Sequence, residues 1–322
     1  MMLKEFETQF TQFLKEEEPF FFLVDFEKEN PFVCKMKEAH SEGVFFNIKG
    51  IKNYEEKKVS AIPKLSFLPI DKAIYTKSFE AVKEHLERGN TYLLNLTFPT
   101  EIEMNASLED VFHLSDAPYK LLFKNQFVLF SPESFVQIQE RTISTFPMKG
   151  TIDAALKNAS HVLLSNKKEE WEHNTIVDLM RNDLSMIATD IKVENYRYVE
   201  RIKTHHSEIL QTSSKISGRL KKDFRNTLCQ DLLSLLPAGS VSGAPKQKTV
   251  EIIQANEITN RGYYTGIFGI YDGEKLDSAV NIRFIERDNG KTYFRSGGGI
   301  TTNSVLEDEY NELIQKIYLP KG

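Results

Sequence analysis

The segment from Pro237 to Lys316 constrains the fold of this chain more than any other, because turns, strands and a helix follow one another closely. A glycine-broken turn reaches Lys246, and a helical run follows it directly. Two strand-like runs come next, at 262–271 and 276–285, and apolar side chains alternate in the second. Elsewhere too, strands with return turns dominate and no regular strand–helix alternation is visible. We therefore predict an α+β fold in which largely antiparallel sheets form a core sandwich, with helices on the outside.

The bulk composition excludes several classes of protein. The 322 residues fit one large domain or two ordinary ones, and we predict one, with a short preface at 1–70 and the core at 75–318. The net charge of −5 offers no basic surface for nucleic acid or an anionic membrane. The longest apolar burst, at 20–24, is too short to cross a bilayer, and the first residues lack a signal-peptide pattern. We expect no nucleic-acid partner and no membrane partner.

The cysteines and one histidine pair suggest neither a metal cage nor a disulfide framework. Cys34 and Cys229 have no metal-binding spacing between them, and Cys229 reads as a helix residue rather than a nucleophile. His205 and His206 have no third ligand at a suitable spacing, which favours an ordinary surface pair. The expected location is the reducing cytoplasm.

Two turns rich in free backbone amides predict an anion site. Pro245 suits the first turn of the helix that follows, so the preceding amides would gather at a positive helix end. A second, triple-glycine turn would expose amides with no side chains in the way. These amides belong to Ser242, Gly243 and Ala244 in the first turn and to Gly297, Gly298 and Gly299 in the second.

Carboxylates and one arginine complete the predicted site. In the last helical run Glu309, Glu312 and Lys316 fall at i, i+3 and i+7 and share one face. Glu172 shares the apolar face of a helix over 167–184, so its inward carboxylate needs a partner, and a cation is one candidate. Alternation also places Arg283 on one strand face with Asn281. Together these residues predict a small, multiply anionic ligand held with a hard divalent cation.

Eight motifs in a fixed order resemble those of the chorismate-utilising enzymes, the family of anthranilate synthase, isochorismate and salicylate synthases, and aminodeoxychorismate synthase. The resemblance covers about three quarters of the chain, from Ser78 to Lys316. It implies that family's fold and chorismate as the substrate. The matched motifs are Gly89–Leu96, Ser131–Glu133, Pro147–Thr151, Glu172–Leu184, Gly239–Lys246, Arg261–Gly266, Ile282–Arg283 and Gly297–Ile300.

The resemblance implies a Mg²⁺ site. Glu172 and Glu309 look like the carboxylates that hold Mg²⁺ against the ring carboxylate of chorismate, with Glu312 as a helper. Lys316 would orient those glutamates from one helical turn away. A hard cation with oxygen ligands suits this task.

The resemblance also implies roles around the rest of the substrate. Tyr264 and Arg283 look like the pair that grips the enolpyruvyl carboxylate, and the two glycine-rich segments would complete the anion cradle. Glu133 resembles the general acid that helps the C4 hydroxyl depart. Gln211 stands where many relatives have a histidine, and it could still donate a hydrogen bond. Leu93 replaces the lysine base of isochorismate-forming relatives, which argues against water as the incoming nucleophile.

Lys149 distinguishes between members of the family. Anthranilate synthases have alanine at this place in the run Pro147–Thr151, whereas lysine resembles component I of the aminodeoxychorismate synthases. In that group the amine is thought to add at C2 of chorismate as the C4 hydroxyl leaves, and ammonia then enters at C4 and expels the lysine. The attack requires a neutral amine, and we expect burial and the nearby cation to lower the pKa of Lys149.

The resemblance therefore predicts a Mg²⁺-dependent synthase component that converts chorismate and ammonia to 4-amino-4-deoxychorismate, in 4-aminobenzoate and folate biosynthesis. Neither cysteine lies in a Gly-x-Cys-x-Gly elbow, so ammonia would come from a separate glutaminase subunit or from free ammonium. The Leu-Leu-Glu-Ser pattern that accompanies tryptophan feedback is absent, so we predict no tryptophan control. Three alternatives stay open: component I of anthranilate synthase, a non-catalytic chorismate-binding regulatory subunit, and a plain metal-binding scaffold.

Overall fold

The computed structural model describes residues 1–59, 63–203 and 208–320. The pair His205 and His206 lies outside these residues. Within them, two nine-stranded sheets are built from antiparallel strand pairs. Helices cover the sheets, so the α+β prediction is confirmed. No described helix combines the length and the apolar character needed to span a membrane.

The strands are, in chain order, β1 Phe20–Val24, β2 Phe32–Lys35, β3 Val44–Ile48, β4 Ile51–Lys52, β5 Leu65–Phe67, β6 Leu93–Met104, β7 Tyr119–Phe123, β8 Phe127–Ser131, β9 Ser134–Gln139, β10 Thr142–Thr145, β11 Met148–Asp153, β12 Thr189–Lys203, β13 Glu208–Arg219, β14 Gly243–Ala244, β15 Ile267–Tyr271, β16 Lys275–Val280, β17 Phe284–Asp288 and β18 Lys291–Ile300. The α-helices are α1 Leu3–Lys15, α2 Lys72–Glu87, α3 Leu108–Leu114, α4 Ala159–Ser165, α5 Lys167–Ser185, α6 Leu228–Leu235, α7 Lys246–Asn256 and α8 Leu306–Gln315. Short 3₁₀ turns span Met36–Glu38, Phe224–Asn226 and Gly239–Val241.

Both sheets mix strands from distant parts of the chain. The first has the order β11-β13-β10-β9-β16-β15-β1-β2, with β12 also paired to β13. The second has the order β14-β6-β18-β17-β8-β7-β3-β4, with β5 also paired to β6. The predicted preface is thus built into both sheets, because β1 and β2 extend the first and β3 and β4 the second. The prediction of one domain stays a prediction.

Strand β1 shows how the sandwich core forms. Phe20, Phe22 and Val24 point to one side and pack in a core that α1 and α6 share. Phe21 points to the other side and stacks on Phe46 of the second sheet, with ring centroids 5.5 Å apart. The strand is apolar at every position because both of its faces are covered. It therefore lacks the apolar–polar alternation of a strand that is exposed on one face.

Helices pack on the outer faces of the sandwich, as predicted. On the second sheet, α2, α7 and α8 cover β6 through a cluster that includes Phe79, Ile252, Leu313 and Phe98. Helix α3 covers another part of the same sheet, where Phe112 packs with strands β7 and β8. The outer layers therefore bury the strand faces that point away from the central core.

Two short crossovers between the sheets carry Glu133 and Arg283, two of the predicted site residues. The chain passes from β8 to β9 through Pro132 and Glu133, and from β16 to β17 through residues 281–283. The Val280 N–H donates to the Glu133 carbonyl oxygen at 3.1 Å, so the crossovers lie side by side. Arg283 has φ +54°. The prediction of one strand over 276–285, with Asn281 and Arg283 on one face, is wrong because the chain turns there to reach the other sheet.

The triple glycine lies within a strand, and the prediction of a turn is wrong. Gly297, Gly298 and Gly299 belong to β18 and pair with Thr97, Leu96 and Asn95 of β6. A Cβ on Gly297 would come within 2.4 Å of the Leu96 carbonyl oxygen. The glycines thus permit close approach of two backbones, and a strand without side chains shows no alternation that sequence reading can detect.

Candidate active site

Lys149 meets an acidic residue of the neighbouring helix. It lies in β11, and its Nζ is 2.9 Å from Glu172 Oε2 of α5. The Lys149 side chain is 46% exposed, so it lies at a rim that solvent reaches. Burial lowers the pKa of Lys149, but the carboxylates of Glu172, Glu169 and Glu312 outweigh it, and the pKa is raised. Burial therefore acts on the Lys149 pKa in the expected direction, and the neighbouring carboxylates act against it.

Glu172 lies beside the buried stripe of α5 rather than within it. The fully buried positions of this helix include His173, Val177 and Met180. The Glu172 side chain is 25% exposed, which corrects the expectation that it points into the interior. Sequence reading also missed Glu169, one helical turn earlier, whose Oε2 would be 3.0 Å from a Cβ on Gly150. The spacing of Glu169 and Glu172 was the available signal.

The carboxylates of α8 meet over the triple glycine. A Cβ on Gly298 would lie 3.3 Å from Glu309 Oε2 and 3.5 Å from Glu312 Oε1. Lys316 Nζ lies 2.6 Å from Glu312 Oε1 and donates to the Gly297 carbonyl oxygen at 2.7 Å. The predicted shared face of α8 is confirmed, and it covers the glycine strand because no side chain fills the space between them.

The two α8 carboxylates differ in acidity. Burial raises the pKa of Glu309 and the neighbouring Glu312 adds to the rise, although the hydrogen bond from Ser304 and the charge of Lys316 oppose it. Burial also raises the pKa of Glu312, but its hydrogen-bonded partner Lys316 and the more distant lysines together outweigh burial, and the net pKa is lowered. The Lys149 ammonium lowers the pKa of both glutamates. Lys149 therefore links the carboxylates of α8 electrostatically to Glu172 of α5.

These carboxylates fit a hard divalent cation bound together with a substrate. Across the described residues, no three histidine, cysteine or acidic side chains form a preformed metal cage. Mg²⁺ usually takes one or two carboxylates from the protein and fills its other positions with waters and substrate oxygens. Glu309 and Glu312 offer oxygen ligands beside Gly298, which carries no side chain.

The pKa of Glu133 is raised, the direction expected of a general acid. The Ser240 hydroxyl donates to Glu133 Oε1. Burial raises the pKa of Glu133, and Ser240 and Arg283 offset this only in part. Sequence reading missed Ser240, although it lies in the same turn as Ser242, because nothing in the local pattern ranks one serine above the other. A carboxyl group with a raised pKa keeps its proton to a higher pH and can donate it.

The guanidinium N–H groups of Arg283 are available to bind an anion, as far as the described residues show. Its guanidinium carbon lies 5.2 Å from the centre of the Tyr318 ring. Among residues 1–59, 63–203 and 208–320, no side chain or carbonyl pairs with this guanidinium. Its fork of N–H groups matches the geometry of a carboxylate.

Tyr264 lies in the turn before β15, since the strand predicted from residue 262 begins only at Ile267. The residue is 4% exposed, and burial raises the pKa of Tyr264 to about 12. Arg283 is close enough to oppose that rise. Tyr264 is therefore a neutral hydrogen-bond donor near Arg283 at neutral pH.

The turn before α7 contributes less than predicted. Ser242 is fully buried, its hydroxyl donates to Ala238 O at 2.8 Å and its amide donates to Gly239 O. The expectation of a free Ser242 amide is wrong, because the turn uses both groups internally. Gly243 and Ala244 form β14 and pair with Leu94 and Leu93 of β6.

Helix α7 begins at Lys246, with Pro245 at the N-cap, one position before the predicted place. Gln211 lies in β13 and pairs with Thr151 of β11, the strand that carries Lys149.

The turn before α7 also connects two groups of candidate residues, those around Glu133 and those around the triple glycine. Ser240 binds Glu133, and the Ser242 carbonyl oxygen accepts from Asn95, which pairs with Gly299.

Gly243→Ala is expected to destabilise the protein by at least about 2 kcal/mol, because an added methyl group overpacks a fixed backbone. Gly243 has φ +134°, and its Cβ would lie 1.8 Å from the Leu93 carbonyl oxygen. Thermal unfolding measures the loss. Gly89→Ala is the matched control, since Gly89 also has a positive φ but open space around its Cβ position. That change is expected to cost only about 1 kcal/mol. Equal losses in the two variants would contradict the steric argument.

Comparison with known proteins agrees with this geometry. The family model described as "chorismate binding enzyme" matches residues 7–321. The chain is 52% identical to a protein of Haemophilus influenzae named "Uncharacterized PabA-like protein", over 99% of this chain and 97% of that protein. It is 26% identical to aminodeoxychorismate synthase component 1 of Bacillus subtilis, over 76% of this chain and 54% of that protein.

The fold agrees as well. The crystal structure of anthranilate synthase component I from Streptococcus pneumoniae superposes with a TM-score of 0.67 at 29% identity, covering 78% of this chain and 58% of that one. The chain thus spans little more than half the length of these two synthase components. The family match nevertheless covers nearly all of it, including Glu172, Gly298, Glu309 and Arg283. The chain belongs to the chorismate-binding enzyme family.

Proposed function

We propose that this chain is the synthase component of an aminodeoxychorismate synthase. It converts chorismate and ammonia to 4-amino-4-deoxychorismate, on the route to 4-aminobenzoate and folate in the cytoplasm. A separate glutaminase subunit supplies the ammonia. One observation carries the proposal: Lys149 Nζ lies 2.9 Å from Glu172 and within electrostatic reach of Glu309 and Glu312. A lysine beside an acidic substrate site supports an amine nucleophile rather than direct attack by ammonia at C2.

The remaining site residues hold the substrate. Arg283 and Tyr264 grip the enolpyruvyl carboxylate, and the backbone around Gly298 lies against the rest of the ligand. Glu172 and Glu309 hold Mg²⁺, assisted by Glu312. When bound, Mg²⁺ supplies positive charge to the ring carboxylate and fixes its orientation.

The Lys149 amine and the Glu133 carboxyl group perform the exchange. Once its pair with Glu172 is broken and its proton is lost, the amine forms a bond to C2 of the ring. The two conjugated double bonds of the ring both shift, from C1=C2 and C5=C6 to C1=C6 and C4=C5, and the C4–O bond breaks, while Glu133 gives its proton to the departing oxygen, so water leaves. Ammonia then bonds to C4, both double bonds shift back and the C2–N bond to Lys149 breaks. The proton released by the incoming ammonia restores Glu133.

The product identifies the reaction. Purified protein is incubated with chorismate, Mg²⁺ and ammonium, and the products are separated and identified by mass spectrometry. 4-Amino-4-deoxychorismate without pyruvate is the expected outcome. Anthranilate with an equal amount of pyruvate would instead identify an anthranilate synthase. Binding of chorismate without any turnover would support a non-catalytic regulatory subunit.

The metal assignment predicts that chelation of Mg²⁺ weakens chorismate binding by about tenfold or more. Without the cation, the ring carboxylate of chorismate faces the carboxylates of the protein directly, and the negative charges repel each other. Calorimetric titration with Mg²⁺ and with EDTA measures the difference. Glu309→Gln is expected to abolish the effect of Mg²⁺ on the Kd. The control is Glu307→Gln on the same helix, whose side chain is 57% exposed and pairs with Lys72. A Kd that is indifferent to Mg²⁺ in the unaltered protein would refute the metal site.

A further inference from the structure

The crossover from β16 to β17 is a tight junction built around one buried asparagine. Only residues 281–283 separate the two strands, although the strands belong to different sheets. The Ile282 N–H donates to the Val280 carbonyl oxygen at 3.0 Å and closes a three-residue turn at Asn281. Asn281 has no exposed surface. Arg283 follows two positions later.

Three hydrogen bonds, each 2.8 Å long, join Asn281 to the turn that carries Tyr264. The Asn281 N–H donates to Gly266 O, the Thr265 N–H donates to Asn281 O, and Asn281 Nδ2 donates to Tyr263 O. The contacts surround Tyr264 on both sides in the chain. One residue thus fixes the turn that holds Tyr264 against the junction that holds Arg283.

The junction has three unfavourable features: two residues with a positive φ and one buried side-chain oxygen without a hydrogen bond. Thr265 is fully buried with φ +60°, a conformation that β-branched residues rarely adopt. Arg283 also has a positive φ, of +54°. The buried Asn281 Oδ1 has no hydrogen-bond partner among the residues that the structure describes. Such departures persist where the surrounding structure holds them, and they concentrate at functional sites.

The fold of the Tyr264 turn has support that is independent of the Asn281 amide. Arg261 is buried and donates to Thr265 Oγ1 at 3.2 Å and to Val241 O at 2.8 Å. It also pairs with Glu257 at 2.7 Å. Removing the Asn281 side chain therefore leaves the turn anchored while its position relative to Arg283 becomes less fixed.

We propose that Asn281 is a positioning residue, which sets the spacing between Tyr264 and Arg283 and thereby the affinity for a substrate carboxylate. The inference rests on the proposed function in assigning those two side chains to one carboxylate of chorismate. Asn281 does not touch the substrate. It acts through the Nδ2 donor and the two backbone bonds, of which only the first depends on the side chain.

Asn281→Ala is expected to weaken chorismate binding about tenfold, with kcat within about twofold of the unaltered value, because a grip shared by ground and transition states changes KM alone. Calorimetry gives the Kd and steady-state assays give the kinetic split. Asn281→Leu keeps the branching and the number of side-chain heavy atoms without the donor and is expected to act in the same way. It also serves if the alanine variant does not fold.

Ser278→Ala is the matched control. Ser278 lies three residues earlier in β16, is equally buried, and donates from its hydroxyl to Val136 O at 2.7 Å. We expect Ser278→Ala to lower the thermal stability with an unchanged Kd. In an Arg283→Ala background, Asn281→Ala is expected to weaken binding by less than about twofold, because the group it positions is gone.

Several results would overturn the proposal: an unchanged Kd in both Asn281 variants, equal weakening in Ser278→Ala, effects that multiply fully in the double variant, or failure of both Asn281 variants to fold. The binding assay is independent of the product formed. Anthranilate as the product would therefore remove the proposed function and leave the positioning role intact. An Asn281→Ala protein that binds chorismate normally and still forms 4-amino-4-deoxychorismate would remove the positioning role and leave the proposed function intact.

Discussion

Lys149→Ala is expected to lower the rate of 4-amino-4-deoxychorismate formation by at least about 10³-fold, since removal of a covalent nucleophile leaves only binding and electrostatic contributions. In the unaltered protein, intact mass spectrometry after rapid quenching with chorismate, in the absence of ammonium, is expected to detect a covalent adduct. The adduct is expected to be absent from the alanine variant. Chorismate affinity is expected to change far less than the rate.

Two further variants separate nucleophilicity from charge. Lys149→Arg keeps a cation near Glu172 but cannot supply a neutral amine, so it is expected to be as inactive as the alanine variant. Lys168→Ala removes another cation near the same carboxylate, 3.9 Å from Glu172 Oε1 and 83% exposed, and is expected to retain activity within about twofold. Persistence of the same adduct in Lys149→Ala would place the nucleophile elsewhere.

Glu133→Gln is expected to lower kcat by about 10²–10⁴-fold, the usual range for the loss of a general acid. The amide keeps the shape of the side chain and can still accept from Ser240, but it has no proton to give to the departing oxygen. Ser240→Ala is the companion variant. It removes a hydrogen bond that lowers the pKa of Glu133, so we expect the alkaline limb of its pH profile to move to higher pH.

The sign of the pH dependence follows from the raised pKa of Glu133. The acid form is the active form, so kcat is expected to fall as pH rises through this pKa and to level off below it. The Gln variant is expected to lack that limb. For stability, a raised carboxyl pKa means that the folded state holds the proton more tightly than the unfolded chain. The resulting stabilisation is present below the unfolded pKa and is lost as pH rises through the folded one. An identical limb in Glu133→Gln would assign the titration to another group.

Features that depend on neighbours within one helix could be predicted from the sequence. The shared face of Glu309, Glu312 and Lys316 follows from helical spacing, and the structure has the contacts that this spacing implies. The helix at 167–184 was also predicted nearly to its ends, because Asn166 caps it and its apolar positions recur with the helical period.

Features that depend on the other sheet could not be predicted. The alternation from Leu276 to Phe284 continues through Asn281, yet the chain leaves one sheet there and enters the other. The triple glycine has no side chains, so no period separates a turn from a strand. The choice between Ser240 and Ser242 depends on which hydroxyl meets Glu133, a residue more than a hundred positions away.

By itself, the sequence determined the α+β class, the helix that presents the acidic face, and the motif order that marks the family. Local hydrogen bonds and side-chain periodicity set these features, and both are encoded within a few neighbouring residues. Only the tertiary structure decided that Lys149 pairs with Glu172 and that the hydroxyl and amide of Ser242 donate within their own turn. It also decided that Asn281 joins the turn of Tyr264 to the crossover of Arg283. Those contacts depend on how two sheets pack and where the chain crosses between them, because burial and charge pairing arise between residues that are distant in the sequence.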